Sequence, residues 1–203
     1  MSIPYKIQTP RLVIRCWQPG DAAAMKEALD TSLEHIRPWL PFAKDEPQTL
    51  EQKVELIRHF RGNFDRDKDY TMGIFDAEDK LCLGGCGLHT RIGKGALEIG
   101  YWIRASHINQ GLATEMAAAL TRAAFDFHGV DRVEIHCDPL NERSAAVPRK
   151  LGYLHEATLK NRAKDSEGNP RDTMIWTMFR SMYEESTLAK IEMAAFDVAG
   201  KII

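Results

Sequence analysis

Along the chain, short stretches in which apolar residues alternate with polar ones are interleaved with longer stretches in which they recur every three or four residues. The first rhythm marks half-buried strands and the second amphipathic helices. Arg11–Trp17, Tyr70–Phe75, Leu81–Ile92, Ala96–Ile103, Arg132–Cys137, Tyr153–Lys160 and Thr173–Phe179 read as strands, separated by turn signals such as Pro19-Gly20, Asp76–Asp79, Gly93–Gly95 and a polar turn over Lys164–Pro170. Asp21 is placed to cap a helix reaching Leu29. Thr49 is placed to cap a longer one with Leu50, Val54, Ile57, Phe60 and Phe64 as its apolar stripe. The clearest helix is Gly111–Phe127, because Leu112, Met116, Leu120, Ala123 and Phe127 fall on one face, and Gly129 ends it. Another covers Asn141–Leu151, and the tail Tyr183–Ile203 reads as helical at first and frayed at its end. The three strands between residues 70 and 103 are joined by short turns, so they pair antiparallel. The element order describes one α/β domain: a mixed, mostly antiparallel sheet of about seven strands flanked by helices.

Composition narrows the class without changing that picture. The chain has 203 residues, 44% hydrophobic and 28% charged, which suits one globular domain with a real core. With 27 Lys+Arg against 29 Asp+Glu the net charge is −2, so direct nucleic-acid binding is not favoured. The N-terminus Met1–Lys6 lacks a basic start and an apolar run, and no window approaches the ~20 apolar residues of a membrane span, so a cytoplasmic protein is expected. Cys16, Cys82, Cys86 and Cys137 form no CxxC pair and sit in apolar contexts. They read as reduced core thiols, with Cys82 and Cys86 on one strand face and no metal site. His107 and His128, near helix ends, read as surface residues.

The most informative segment runs from Glu98-Ile99-Gly100-Tyr101-Trp102-Ile103 into His107-Ile108-Asn109-Gln110-Gly111-Leu112-Ala113-Thr114. A strand feeds a glycine turn and a strong helix begins at once, so unpaired N–H groups and the helix dipole converge on a phosphate-binding spot. The dinucleotide fingerprint G-x-G-x-x-G is absent there. A Walker-like Gly87 to Gly93-Lys94-Gly95 has the wrong spacing, lacks the closing Ser or Thr and is not followed by a helix. Gly84-Gly85 and Gly87, inside a strand, predict a bulge or a close backbone approach.

Together these segments resemble the GNAT acetyltransferases, and within them the branch that acetylates ribosomal-protein alanine and serine N-termini (the RimJ/RimL type). That family's Q/R-x-x-G-x-G/A motif is matched by Gly111-Leu112-Ala113, although Ile108 stands at its first position. Its N-x-x-S…K-L-G-Y/F signature is matched by Asn141, Ser144 and Lys150-Leu151-Gly152-Tyr153. Thr9-x-Arg11-Leu12-x-Ile14-Arg15 and Glu98–Trp102 also look like this branch, and the likeness spans about residues 9–180, leaving 181–203 as a helical C-terminal extension. The resemblance implies acetyl-CoA as co-substrate, with Tyr101, Trp102 and Ile103 beside the pantetheine arm. Asn109, Gln110, Gly111, Leu112, Ala113 and Thr114 would lie at the pyrophosphate, with Asn141 and Ser144 on the opposite helix. It also implies direct attack by an amine without a covalent enzyme intermediate, and places the early loop with Arg37, Trp39 and Phe42 beside the acceptor.

Acetyl transfer needs a neutral amine, a polarised carbonyl and a proton for the leaving thiolate. Glu98 is either the carboxylate that takes the amine's proton, directly or through water, or a solvated or lysine-paired strand residue. Ser144 either hydrogen-bonds the sulfur and relays a proton or is a first-turn polar residue of a helix capped by Asn141. Pro148 has no N–H to give the Ser144 carbonyl, which is thereby free for CoA, water or another partner. The acceptor implied by the resemblance is a protein N-terminal α-amine. A small-molecule amine (an antibiotic, a polyamine or a metabolite) and a CoA-binding module without turnover are the alternatives. The apolar tail residues Leu188, Ile191, Met193 and Phe196 either cover the sheet or pack on a second subunit in a homodimer.

Overall fold

The computed structural model describes residues 3–165 and 167–203; Met1, Ser2 and the middle of the Lys164–Pro170 turn lie outside the described residues. Strands β1 (Lys6–Gln8) and β2 (Leu12–Cys16) lead into helices α1 (Ala22–Asp30), α2 (Leu33–Ile36) and α3 (Leu50–Phe64). A meander of β3 (Tyr70–Asp76), β4 (Cys82–His89) and β5 (Ala96–Ile103) follows, then α4 (Leu112–Ala123), β6 (Arg132–Cys137), α5 (Glu142–Lys150), β7 (Leu154–Lys164), β8 (Pro170–Phe179), α6 (Arg180–Glu185) and β9 (Ala194–Phe196). One sheet results, in the order β7-β8-β6-β5-β4-β3-β2-β1-β9, and its only parallel pair among the described strands is β5 with β6. The mixed, mostly antiparallel sheet is as expected. It has nine strands rather than seven because two three-residue strands, β1 and β9, are too short to show a period.

Several local expectations hold for the reasons given. Thr49 caps α3 by accepting from the Gln52 N–H, with the Gln52 side chain returning the bond. Asn141 caps α5 through the Ser144 N–H at 3.1 Å. Gly129, at φ +75°, closes the α4 segment after one wider turn over Ala124–His128. Others change. The Asp21 carboxylate accepts from Arg15 and the Gln18 N–H and does not cap α1. Leu50 is 44% exposed, whereas Lys53 is fully buried and paired with Glu46 across the 36–47 loop.

The tail ends as a strand. After α6 and a short turn at Thr187–Lys190, β9 pairs with β1, and Phe196 bridges to Ile202. Leu188, Ile191 and Met193 pack on the chain's own core. Among the described residues no helix is long and apolar enough to cross a membrane.

Two hydrophobic clusters cover opposite faces of the sheet. One lies under α4, α5 and the tail; the other lies under α1 and α3. The glycines of β4 decide how its residues divide between them. Leu83 has no partner in the β3–β4 ladder, where Gly84 faces Ile74 and Cys82 faces Phe75. That bulge puts Cys82 in the α1–α3 cluster and Cys86 in the α4–α5 cluster, so the two thiols do not share a face. A Cβ on Gly84 would stand 2.2 Å from the Trp102 carbonyl oxygen, so only glycine lets β4 lie this close to β5. All four cysteines are free and buried.

The Lys53–Glu46 pair makes the fold's clearest stability test. Lys53→Met strands a buried carboxylate and should cost about 3 to 5 kcal/mol, read as a lower urea midpoint. Adding Glu46→Leu should recover most of that loss, since a pair removed together leaves no uncompensated charge.

Candidate active site

The ladder between β5 and β6 is short: Ala96, Leu97 and Glu98 pair with Arg132, Val133 and Glu134, and there it stops. Beyond that rung β5 stays with β4 as far as Ile103, and β6 stays with β8 as far as Cys137. The two strands therefore part, and their inner edges open a cleft of about 670 Å³ lined by both strand ends, by the start of α4 and by α5. That volume suits a small-molecule site. Because side chains alternate along a strand, the cleft reaches both sheet faces. Tyr101 projects toward α5 and bonds Ser144, while Trp102 packs with the α1–α3 cluster.

Of the residues expected at the cofactor, Tyr101, Trp102, Ile103, Asn109, Gly111, Leu112, Ala113, Thr114, Asn141 and Ser144 line the cleft. Gln110 does not; its carbonyl accepts from Arg11 at 2.9 Å. Asn109 (φ +61°) and Gly111 (φ +80°) are both left-handed, which the short polar side chain of one and the bare Cα of the other permit. The first helical bond of α4 runs from the Glu115 N–H to the Gly111 carbonyl at 3.0 Å, so the N–H groups of Leu112, Ala113 and Thr114 have no partner within the helix. This anion cradle is fastened from behind. Glu115 accepts from the Thr9 hydroxyl (2.7 Å), the Arg11 N–H (3.1 Å) and the Arg11 guanidinium (2.6 Å), which gives the opening Thr9-x-Arg11 motif a structural task.

Across the cleft, the Tyr101 hydroxyl lies 3.0 Å from Ser144 Oγ and donates weakly to the Ser144 carbonyl at 3.4 Å. That is the carbonyl deprived of its helical donor by Pro148, so the tyrosine takes the place the missing N–H leaves. Burial pushes the Tyr101 phenol up to about 12 although Ser144 pulls it down, so the hydroxyl keeps its proton at neutral pH. Burial likewise pushes the neighbouring Cys137 thiol up to about 11, which leaves it a poor nucleophile. Gly152 (φ +77°) turns the chain out of α5, and the buried Tyr153 hydroxyl meets Thr121 of α4 at 2.5 Å, so Leu-Gly-Tyr braces the two helices flanking the cleft.

On the other face stands Glu98, its side chain 8% exposed. Burial alone would raise its carboxyl, but hydrogen bonds and charge from Arg91, with smaller help from His136 and His89, hold it below the usual carboxylate range. Arg91 engages both of its oxygens. Glu134, Arg132 and His136 continue the polar cluster, and His136 also lines the cleft. These residues were not legible as a site, because only the β5–β6 register brings Glu134 and His136 beside Glu98.

The loop wall is partly as expected. Trp39 lines the cleft with His35, and Arg171 of β8 lies against the Trp39 ring (5.0 Å) while bonding the Pro38 carbonyl and Asp138. Arg37 and Phe42 do not line it: Arg37 donates to the Glu46 carbonyl and Phe42 is 44% exposed. His107 lines the cleft mouth instead of lying on plain surface, and His128 is half-buried against Tyr70. Among the described residues no group of three or more His, Cys, Asp or Glu is placed to hold a metal.

The GNAT acetyltransferase domain family matches residues 11–154, a span that contains the parting strands and the turn into α4, and the chain belongs to that family. It is an N-acetyltransferase of mixed α/β fold. Among its relatives, YdaF of Bacillus subtilis, named as a candidate ribosomal N-acetyltransferase, is 26% identical over 178 residues, 85% of this chain and 93% of that protein. The [ribosomal protein uS5]-alanine N-acetyltransferase of Escherichia coli is 23% identical over 163 residues, covering 77% and 81%. The solved structure of RimL, a ribosomal L7/L12 α-N-protein acetyltransferase in complex with coenzyme A, shares the fold at TM-score 0.77 and 18% identity, covering 90% of this chain and 99% of that one.

The Glu98–Arg91 pair carries a pH-dependent prediction. A depressed carboxyl contributes stability that is present above its unfolded value of about 4.3 and is lost as pH falls through the folded value. Arg91→Met should therefore cost about 1.5 to 3 kcal/mol at pH 7. The deficit against wild type should shrink below about pH 4, followed by urea midpoints across a pH series.

Proposed function

We propose that the chain transfers the acetyl group of acetyl-CoA to the N-terminal α-amine of a protein, with a ribosomal protein as the substrate class. The observation that carries this reading is the cleft between β5 and β6, which has an anion cradle at one end and a pair of hydroxyls and a carboxylate cluster on opposite sheet faces. The cradle at Asn109–Thr114 suits the pyrophosphate, and the open edge of β5 from Ile99 to Ile103 suits an extended pantetheine arm paired through its amides. Tyr101 and Ser144 then lie where a leaving thiolate would take a proton. A relative named for ribosomal protein uS5 and a fold neighbour named for L7/L12 support the acceptor class.

Chemistry supports an α-amine as well. Glu98 is saturated by Arg91 and is a weak base. An α-amine, with its pKa near 7.7–8.0, needs only about 1 kcal/mol to be neutral at pH 7, against roughly 4.6 kcal/mol for a lysine-like amine. The same reading places the protein in the cytoplasm, where buried thiols stay reduced, and treats residues 1–180 as the catalytic domain with 181–203 appended.

Incubating the protein with labelled acetyl-CoA and a panel of ribosomal N-terminal peptides, lysine peptides and small amines, followed by mass spectrometry, should put the label on α-amines. Label confined to small amines would overturn the acceptor, and binding without any label would point to a module without turnover. Gly111→Glu places a side chain at a left-handed residue and a negative charge in the cradle, and should weaken acetyl-CoA binding about 100-fold or more by calorimetry. Tyr101→Phe should leave that affinity within about twofold while lowering kcat at least about tenfold, the pattern of a lost proton donor.

A further inference from the structure

One polar cluster in the cleft is more elaborate than substrate binding requires. At the last β5–β6 rung, Glu98 and Glu134 face each other across the strands, and each has its own arginine: Arg91 on Glu98, and Arg132 Nε on Glu134 Oε1 at 2.6 Å. His136, two residues beyond Glu134 on the same strand face, sits between them. Its Nε2 lies 2.7 Å from Glu134 Oε2 and its Nδ1 lies 3.7 Å from Glu98 Oε2. The ring is 24% exposed and lines the cleft. Beyond Glu98, His89 pairs with Asp69 at 3.0 Å and lies over Gly100, and the cleft lining carries His35, Asp138 and Arg143 as further charged or titratable groups.

The geometry assigns the tautomer. An ionised carboxylate only accepts, so Nε2 carries the hydrogen that Glu134 receives, and whenever the ring is neutral its Nδ1 holds the lone pair. At 3.7 Å from Glu98 that nitrogen makes no hydrogen bond, and both Glu98 oxygens already serve Arg91. We infer that His136 is the general base that takes the proton from the acceptor ammonium, and that Glu134 is the positioning residue that fixes its tautomer. The inference rests on reading the cleft as the site of acetyl transfer, and it holds for any amine that enters there.

The proton balance closes. One ammonium proton passes to His136 Nδ1, and the imidazolium so formed lies between two carboxylates. The neutral amine attacks the thioester carbon, the C–N bond forms and the C–S bond breaks with its electron pair leaving on sulfur. A second proton from the nitrogen ends on that sulfur by way of Tyr101 and Ser144, and His136 releases its own proton to water. The sum is one amide, one thiol and one proton from an ammonium and a thioester.

The test compares wild type, His136→Gln and Glu134→Gln as full chains, using whichever amine the labelled screen identifies, so a wrong acceptor assignment does not spoil it. Acetyl-CoA affinity should stay within about twofold in both variants, showing an intact cleft. At pH 7 kcat should fall about 100-fold in His136→Gln, the low end of what a positioned base contributes. The ascending limb of kcat against pH should move up toward the ionisation of the free amine, about 7.7–8.0 for an α-amine, and the deficit should shrink by pH 9. Glu134→Gln keeps the ring and a hydrogen-bond acceptor but loses the charge, and should show a smaller loss with the limb displaced the same way. A His136→Gln enzyme with wild-type kcat and an unmoved limb would overturn the assignment. So would a wild-type limb that coincides with the free amine's ionisation, a result that needs no variant to fold.

Discussion

The parting of β5 from β6 after Glu98 and Glu134 is the constraint on which the rest of the molecule depends. A parallel pair in the middle of a sheet is ordinarily sealed by its ladder, and here three rungs are all it has. Two carboxylates opposed at the final rung repel each other, and each is drawn sideways to an arginine, Arg91 on the β4 side and Arg132 on its own strand. Of the groups at this rung, Glu98 and Arg91 line one wall of the cleft, with His136 beside them. Helices α4 and α5 begin just past the two strand ends, so their N-terminal turns flank the opening.

Because strands alternate their side chains, a cleft through the sheet has two chemically different walls. The odd-numbered β5 residues Ile99, Tyr101 and Ile103 belong to the helical side, with its hydroxyl pair and anion cradle. The even-numbered Glu98 and Trp102 belong to the side walled by Trp39 and His35. The β4 bulge keeps this division in register with the cores. Without Leu83 as the extra residue, Cys82 and Cys86 would share a face and the α1–α3 cluster would lose a member. The glycines that allow it, Gly84 and Gly85, are those over which Trp102 lies.

How much of this was legible in the sequence follows the range of each interaction. The strands of five residues or more, the helices of nine residues or more, the Thr49 and Asn141 caps and the glycine turn at Gly111 are local, and periodicity or turn chemistry shows them, whereas the one-turn α2 is too short to show a period. The short strands β1 and β9 carry no period and exist because β1 pairs with β2 and β9 pairs with β1. Asp21 has the composition of a cap yet serves Arg15, a choice made by tertiary geometry. The site divides the same way: the cradle and Ser144 lie in contiguous motifs, whereas His136 lies beside Glu98 only through a pairing between strands more than thirty residues apart in sequence. Arg37 and Phe42 lie away from the cleft lining; bulky groups on a loop do not reveal which way the loop turns.

Ile108 illustrates how a departure from a motif can be absorbed. Its side chain packs against the α4–α5 core, so no polar group reaches the cradle from the position where the family pattern has glutamine or arginine. The guanidinium nearest the turn comes from Arg11, whose Nη1 donates to the Gln110 carbonyl and whose Nη2 approaches Gly111. Half exposed, and only partly neutralised by Glu115, it leaves positive charge beside the helix N-terminus, where the dipole already favours an anion. A charge in the turn between β1 and β2 thus stands near the place a local side chain vacated. The clamp of Thr9 and Arg11 on Glu115 also ties the first turn of α4 to the turn between β1 and β2, which couples that part of the sheet to the cleft.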